Sequence, residues 1–254
     1  LNELKYILSR VFSLEADTAS HEEIRKRIIS GGQVTGTNMC ILICAILIAS
    51  VGLNTGSTAV IIGAMLVSPL MGSILAMAFG VASADKSQLL RNFYGFILQL
   101  IISVLVATIY FALSPIKHPT SEIIARTQPS FYDVIIATAG GFAGIIGSTR
   151  SDKANNIIPG VAIATALMPP VCTCGYSIAN AKWEMLSGAA YLFIVNCYFI
   201  FVSAVVILDV LKIPKIGQIN EKQWKRLKRA IIRNTIIVLI PSIFFTYMML
   251  REAK

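Results

Sequence analysis

The chain has 254 residues, of which 56% are hydrophobic and only 14% charged, against about 25% charged in an ordinary soluble domain. That composition excludes a soluble globular fold and describes an all-α, polytopic membrane bundle. The net charge of +9 is accounted for by basic loops facing anionic headgroups, so nucleic acid is not an expected partner.

Residues 1–35 are charged and amphipathic and do not read as a cleavable leader. Ser20 and Glu23 have the spacing of a capping box ahead of Ile24 to Ile29, which predicts a short amphipathic helix lying on the inner membrane surface. From Ile28 to Ala84 there is no charge, too long a stretch for one span of about 20 residues. It must therefore reverse, and Asn54-Thr55-Gly56 supplies the turn. The predicted spans are 36–53, 58–82, 92–114, 131–149, 157–180, 187–210 and 231–250. A transmembrane core over 36–210 is expected to be followed by a basic cytoplasmic linker helix at 211–230. A seventh span and an external C-terminus at 231–254 complete the chain.

Two of these spans carry proline in mid-course, at Ser68-Pro69 and at Met168-Pro169-Pro170. A proline inside a helix removes one donor and frees the carbonyl four residues earlier, here those of Met65, Thr165 and Ala166. Each broken span is the middle member of a set of three, 36–114 and 131–210, and an odd number of crossings per set inverts the second relative to the first. Paired interruptions of this kind point to a transport site near the bilayer midplane. Superposing Pro69 on Pro169 or on Pro170 gives a repeat offset of 100 or 101 residues, with few identities. The candidate ion- or solute-binding residues are Ser57, Met65, Ser68, Pro69, Gly72, Ser73, Thr165, Ala166, Pro169, Pro170, Thr173 and Asn196. Arg126 and Arg150, in loops between spans, are candidate gating residues.

Small residues recur four apart at Ser68, Gly72, Ala76 and Gly80, and again at Gly140 and Gly144 with Gly147. Such stripes permit close helix approach, within the bundle or across a homo-oligomer interface. No carboxylate or histidine lies at the centre of a span, which disfavours a proton relay. The five cysteines lack ligating neighbours, so neither a metal nor another cofactor is expected. Catalysis finds no nucleophile–base pair in the pattern.

Placing the N-terminus in the cytoplasm puts 17 of the 22 Lys and Arg residues inside and 5 outside, which selects that orientation. Eight of the 17 lie between Lys212 and Arg233, where anionic lipid headgroups are the expected partners.

The stretch Ala59-Val60-Ile61-Ile62-Gly63-Ala64-Met65-Leu66-Val67-Ser68-Pro69-Leu70-Met71-Gly72 resembles the signature of the bacterial and archaeal membrane family known as domain of unknown function 389. Ala125-Arg126-Thr127-Gln128-Pro129, the Ala- and Gly-rich span after Asp133, and Pro159 to Pro170 agree with it, so the resemblance covers roughly 36–210. Family members often show Asn-Ser before the first motif and proline after its last glycine, where this chain has Gly56-Ser57 and Ser73. The resemblance implies a polytopic protein of a prokaryotic cytoplasmic membrane and supplies no substrate. Two functions remain open on these observations: a transporter or channel for a small ion or solute, and a non-transporting scaffold or sensor that oligomerises through its glycine faces.

Overall fold

A computed structural model describes residues 18–151, 167–217 and 221–252. Among these, ten helices follow one another: α1 (His21–Gly32), α2 (Gly36–Thr55), α3 (Thr58–Val67), α4 (Leu70–Ala82), α5 (Lys86–Leu113), α6 (Ser121–Ala125), α7 (Phe131–Thr149), α8 (Met168–Ala179), α9 (Trp183–Val210) and α10 (Glu221–Glu252). The helical bundle expected from composition is what forms. Four helices, α2, α5, α7 and α9, are long and apolar enough to cross a membrane, and α3 with α4 makes a fifth candidate, bent by 44° at its break.

Local sequence explains the helix ends. The Ser20 hydroxyl accepts from the Glu23 amide and starts α1. Gly56 closes α2 with φ 69°, a left-handed angle that costs glycine nothing. Asp133 completes a capping box with Ser130 at the head of α7, which gives a membrane-edge carboxylate two partners.

The amphipathic helix α1 forms over the expected residues. Its apolar face, Ile24, Ile28 and Gly32, is buried against α4. A Cβ on Gly32 would collide with Ala76, and one on Gly72 with the Gly31 carbonyl. The small-residue stripe on α4 therefore serves contact inside the chain: Gly72 and Ala76 receive α1, and Gly80 meets the backbone of Leu89 on α5. The glycines of the α7 stripe are buried as well, and Gly141 beside them abuts Ile200 and Ser203 of α9.

The last helix differs from expectation. The linker helix and the seventh span were separate in the sequence reading; α10 runs unbroken for 32 residues with Pro241 inside it. Two tyrosines two turns apart on α9 hold it. Tyr191 donates to the Val238 carbonyl at 2.8 Å, and Tyr198 to the Ile231 carbonyl at 2.9 Å.

Three helix ends in the bundle, those of α4, α8 and α9, are alike bond for bond; at the last, Leu211, Lys212 and Ile213 donate to Ile207, Asp209 and Leu208, and Lys212 has φ 50°. Between α4 and α5, Ser83, Ala84 and Asp85 donate their amides to Phe79, Val81 and Gly80, and Ala84 is left-handed with φ 58°. Between α8 and α9, Asn180, Ala181 and Lys182 donate to Tyr176, Ile178 and Ser177, and Ala181 has φ 52°. Every residue in the second turn stands 97 positions after its counterpart in the first, and α5 and α9 are both 28 residues long.

Candidate functional site

Proline at 69 interrupts the first broken span as expected, with Ser68 extended and Pro69 taking the N-cap position of α4. The Met65 carbonyl that proline was expected to free accepts instead from the Ser68 amide at 3.4 Å. The Ser68 hydroxyl accepts from Leu70 N at 3.4 Å, and the Gly72 amide donates to the Pro69 carbonyl at 3.1 Å. The break thus satisfies much of its own backbone, as an interruption inside a membrane must. Ser73, fully buried, donates at 2.9 Å to Oε1 of Gln99 at the middle of α5. Ser57 caps α3 at its far end, about 15 Å along the helix from the break, and does not belong to this cluster.

The second break is placed differently from the sequence reading. Pro169 and Pro170 sit in the first turn of α8 and are buried. Proline is favoured there because its missing N–H has no intrahelical partner and its φ suits a helix start. Counting 97 back, they correspond to Gly72 and Ser73, and Leu167-Met168 corresponds to Leu70-Met71. Thr165 and Ala166 lie outside the described residues.

The long helix α5 serves as a ruler for the two half-length helices. Along α4, Ser73 meets Gln99 and Gly80 meets Leu89, so α4 runs antiparallel to the N-terminal half of α5. Along α8, Gly175 meets Ala107 and Thr108, and the Tyr176 ring packs edge-on against Phe111 at 5.2 Å, so α8 runs parallel to the C-terminal half. Extrapolated at 1.5 Å per residue, both helices begin level with about residues 100–102 of α5. Their N-termini converge at its centre from opposite directions. Gln99 and Asn196 are each the fourteenth residue of a 28-residue helix, and both are buried. Thr173, one turn into α8, is fully buried and its hydroxyl has no hydrogen-bond partner among the described residues, while Ser50 on the adjoining α2 is buried beside the Cys172 thiol.

The gating candidates are tied into the scaffold. Arg126 caps α6 and reaches Glu122 at 3.5 Å, while Glu122 accepts at 2.7 Å from Thr58 at the head of α3. Arg150 ends α7, its backbone paired with Thr18 and its carbonyl accepting from the Arg27 guanidinium. It therefore anchors the segment that leads into α1.

A cavity of about 650 Å³ lies between α4, α5, α8 and α9. None of the predicted binding residues lines it, and its walls are almost wholly apolar. Phe96 and Phe193 stack across it with ring centroids 6.1 Å apart and planes within 7°. Sequence reasoning missed this pair, although a signal existed: Tyr94-Gly95-Phe96-Ile97-Leu98-Gln99 reads against Tyr191-Leu192-Phe193-Ile194-Val195-Asn196 at the same offset of 97. Among the described residues, no group of three or more His, Cys, Asp or Glu could hold a metal ion.

The family model for domain of unknown function DUF389 matches residues 65–202, from the first break through both half-helices and most of α9. The chain belongs to this family. An uncharacterised protein of Methanocaldococcus jannaschii is 28% identical over 195 residues, 77% of this chain. The chain spans 60% of the length of that relative. No solved structure matches it.

Proposed function

We propose that this DUF389 protein is a transporter or channel for a small ion or solute in a prokaryotic cytoplasmic membrane, with its N-terminus in the cytoplasm. The observation that carries the reading is the convergence of α4 and α8. Each is 13 or 12 residues long, about 20 or 18 Å, and so covers little more than half of a hydrocarbon core of about 30 Å. A helix that stops at mid-depth must have its terminal backbone groups met by protein or by a passing solute. Half-helices meeting from opposite senses, within two inverted three-helix sets, are how many transporters place a site at the midplane.

The polar side chains near that level are uncharged: Ser68 and Ser73 from the first hairpin, with Gln99 bonded to Ser73, and Thr173 and Asn196 from the second. Two prolines in the first turn of α8 remove two of its amide donors, so that end is poorer in N–H groups for an anion than an ordinary helix start. The scaffold reading draws no support from the glycine stripes, whose members are covered by α1, α5 and α9 of the same chain.

Reconstitution into liposomes, with flux measured over a panel of ions and small metabolites, tests the proposal. Replacing Pro169 and Pro170 by alanine keeps a helix start and is expected to change stability by less than about 1 kcal/mol. Flux through that double variant should fall sharply, as should flux through Pro69→Ala. Flux equal to that of the unaltered chain in both variants would overturn the mechanism, and no flux for any solute would overturn the function.

A further inference from the structure

The cavity between the two hairpins is built from residues that repeat. Ile74 and Val171, Met77 and Cys174, Leu89 and Leu186, Phe96 and Phe193, Ile97 and Ile194, and Val104 and Phe201 all line it, each pair 97 apart. Phe96 stacked on its own counterpart marks the point about which one hairpin maps onto the other. A chance surface crevice has no reason to draw its walls in register from two halves of a chain.

From these observations we infer that α4–α5 and α8–α9 are two copies of one hairpin related by a pseudo-twofold axis, and that the groove on this axis binds an acyl chain of an anionic phospholipid. Three features select that occupant. The groove runs from Leu89 to Val104 along α5, about 22 Å at 1.5 Å per residue. Spread over that length, a volume of about 650 Å³ makes a long, narrow slot that suits a single unbranched chain. The groove opens sideways, since Phe93, Ile97 and Ile194 on its rim are 46%, 36% and 57% exposed. In a bilayer that opening faces hydrocarbon, and a hydrated ion entering so apolar a space would lose its solvation without compensation.

Charge fixes the headgroup end. Lys86 is exposed one turn beyond Leu89 on the same face of α5. The segment carrying Lys212 and Lys215 is held beside it, where the Ile216 amide donates to the Ser83 carbonyl at 2.7 Å and the Lys215 ammonium lies over the Trp224 ring, 4.5 Å from its centroid. At the opposite end the position equivalent to Lys86 is Trp183. Lys182 beside it is engaged by the Tyr176 hydroxyl at 3.1 Å. A phosphate is thus favoured at the Lys86 end and an interfacial aromatic at the other.

The inference requires that the chain lie in a bilayer and does not depend on transport. Its test uses the full chain in phosphatidylcholine vesicles containing a trace of phosphatidylglycerol with a photoreactive diazirine on one acyl chain. After irradiation, labelled peptides are mapped by mass spectrometry. Labelling at Phe93, Ile97 and Ile194 is expected several-fold above that at Ile135 and Ile136, which are comparably exposed on α7 at 52% and 49%. Ala190→Trp, which fills the groove, should bring the two to the same level, with folding checked by thermal unfolding. Ile97→Trp serves the same purpose if the first variant does not fold. Lys86→Glu with Lys215→Glu should abolish the advantage of the phosphatidylglycerol probe over its phosphatidylcholine analogue. Equal labelling of groove and α7, labelling unchanged by groove filling, or cross-links showing a second copy seated in the groove would each overturn the assignment. Equal labelling by the two probes in the unaltered chain would overturn the choice of an anionic lipid. Flux measurements bear on the transport reading alone, so failure of one leaves the other standing.

Discussion

Gly72 stands beside the signature proline and was expected to help form a site, yet its function in the fold is to let the Gly31 carbonyl approach α4. Gly72→Ala places a methyl group against that backbone, where no flexible side chain can yield. The expected result is a loss of about 1–3 kcal/mol, seen as a lower midpoint of thermal unfolding in detergent, with accelerated proteolysis of the segment around α1. Ser73 and Gln99 make a different case, because both partners are buried and each satisfies the other. Ser73→Ala strands the Gln99 carbonyl oxygen and should cost about 1–3 kcal/mol. Adding Gln99→Leu should recover part of that loss, since two apolar groups leave nothing unpaired. A four-member double-mutant cycle read by unfolding checks this, and additive costs would mean that the hydrogen bond contributes nothing.

At the scale of elements, the two hairpins share a turn whose central alanine is held in a left-handed conformation. An L-residue there costs about 1–2 kcal/mol relative to glycine, partly offset by the extra freedom glycine gives the unfolded chain. Ala84→Gly and Ala181→Gly are each expected to raise stability by up to about 1 kcal/mol, in the same sense and by similar amounts. Opposite signs in unfolding measurements would mean that the turns are alike in outline only. The same scale explains what covers the apolar face of α1. An amphipathic face can be covered by lipid or by another helix, and Gly72 and Ala76 on α4 offer this one a backbone-deep trough. For α8, proline could mean a kink or a start. It marks a start because its neighbours in the other hairpin, Gly72 and Ser73, also sit in the first turn of their helix.

For the whole molecule, the distribution of positive charge predicts one orientation. In a variant with its five cysteines replaced, Ser87→Cys should react with a membrane-impermeant maleimide only after cells are permeabilised, and His118→Cys should react in intact cells. The reverse pattern would invert the bundle and move the Lys86 end of the groove to the outer leaflet. Composition alone determined the helical class and the need for a bilayer, because a chain this poor in charge has nothing else to bury its surface against. Turn and cap chemistry at Asn54 to Gly56 and at Ser20 located helix ends, since such residues act within one turn of themselves. The position of Pro69 was legible for the same local reason. What only the tertiary structure decided was partnership: that the glycine stripes face inward, that α10 runs unbroken from Glu221, and that Phe96 meets Phe193. These depend on contacts between residues distant in the chain, where several pairings have similar local energies and three-dimensional packing selects among them.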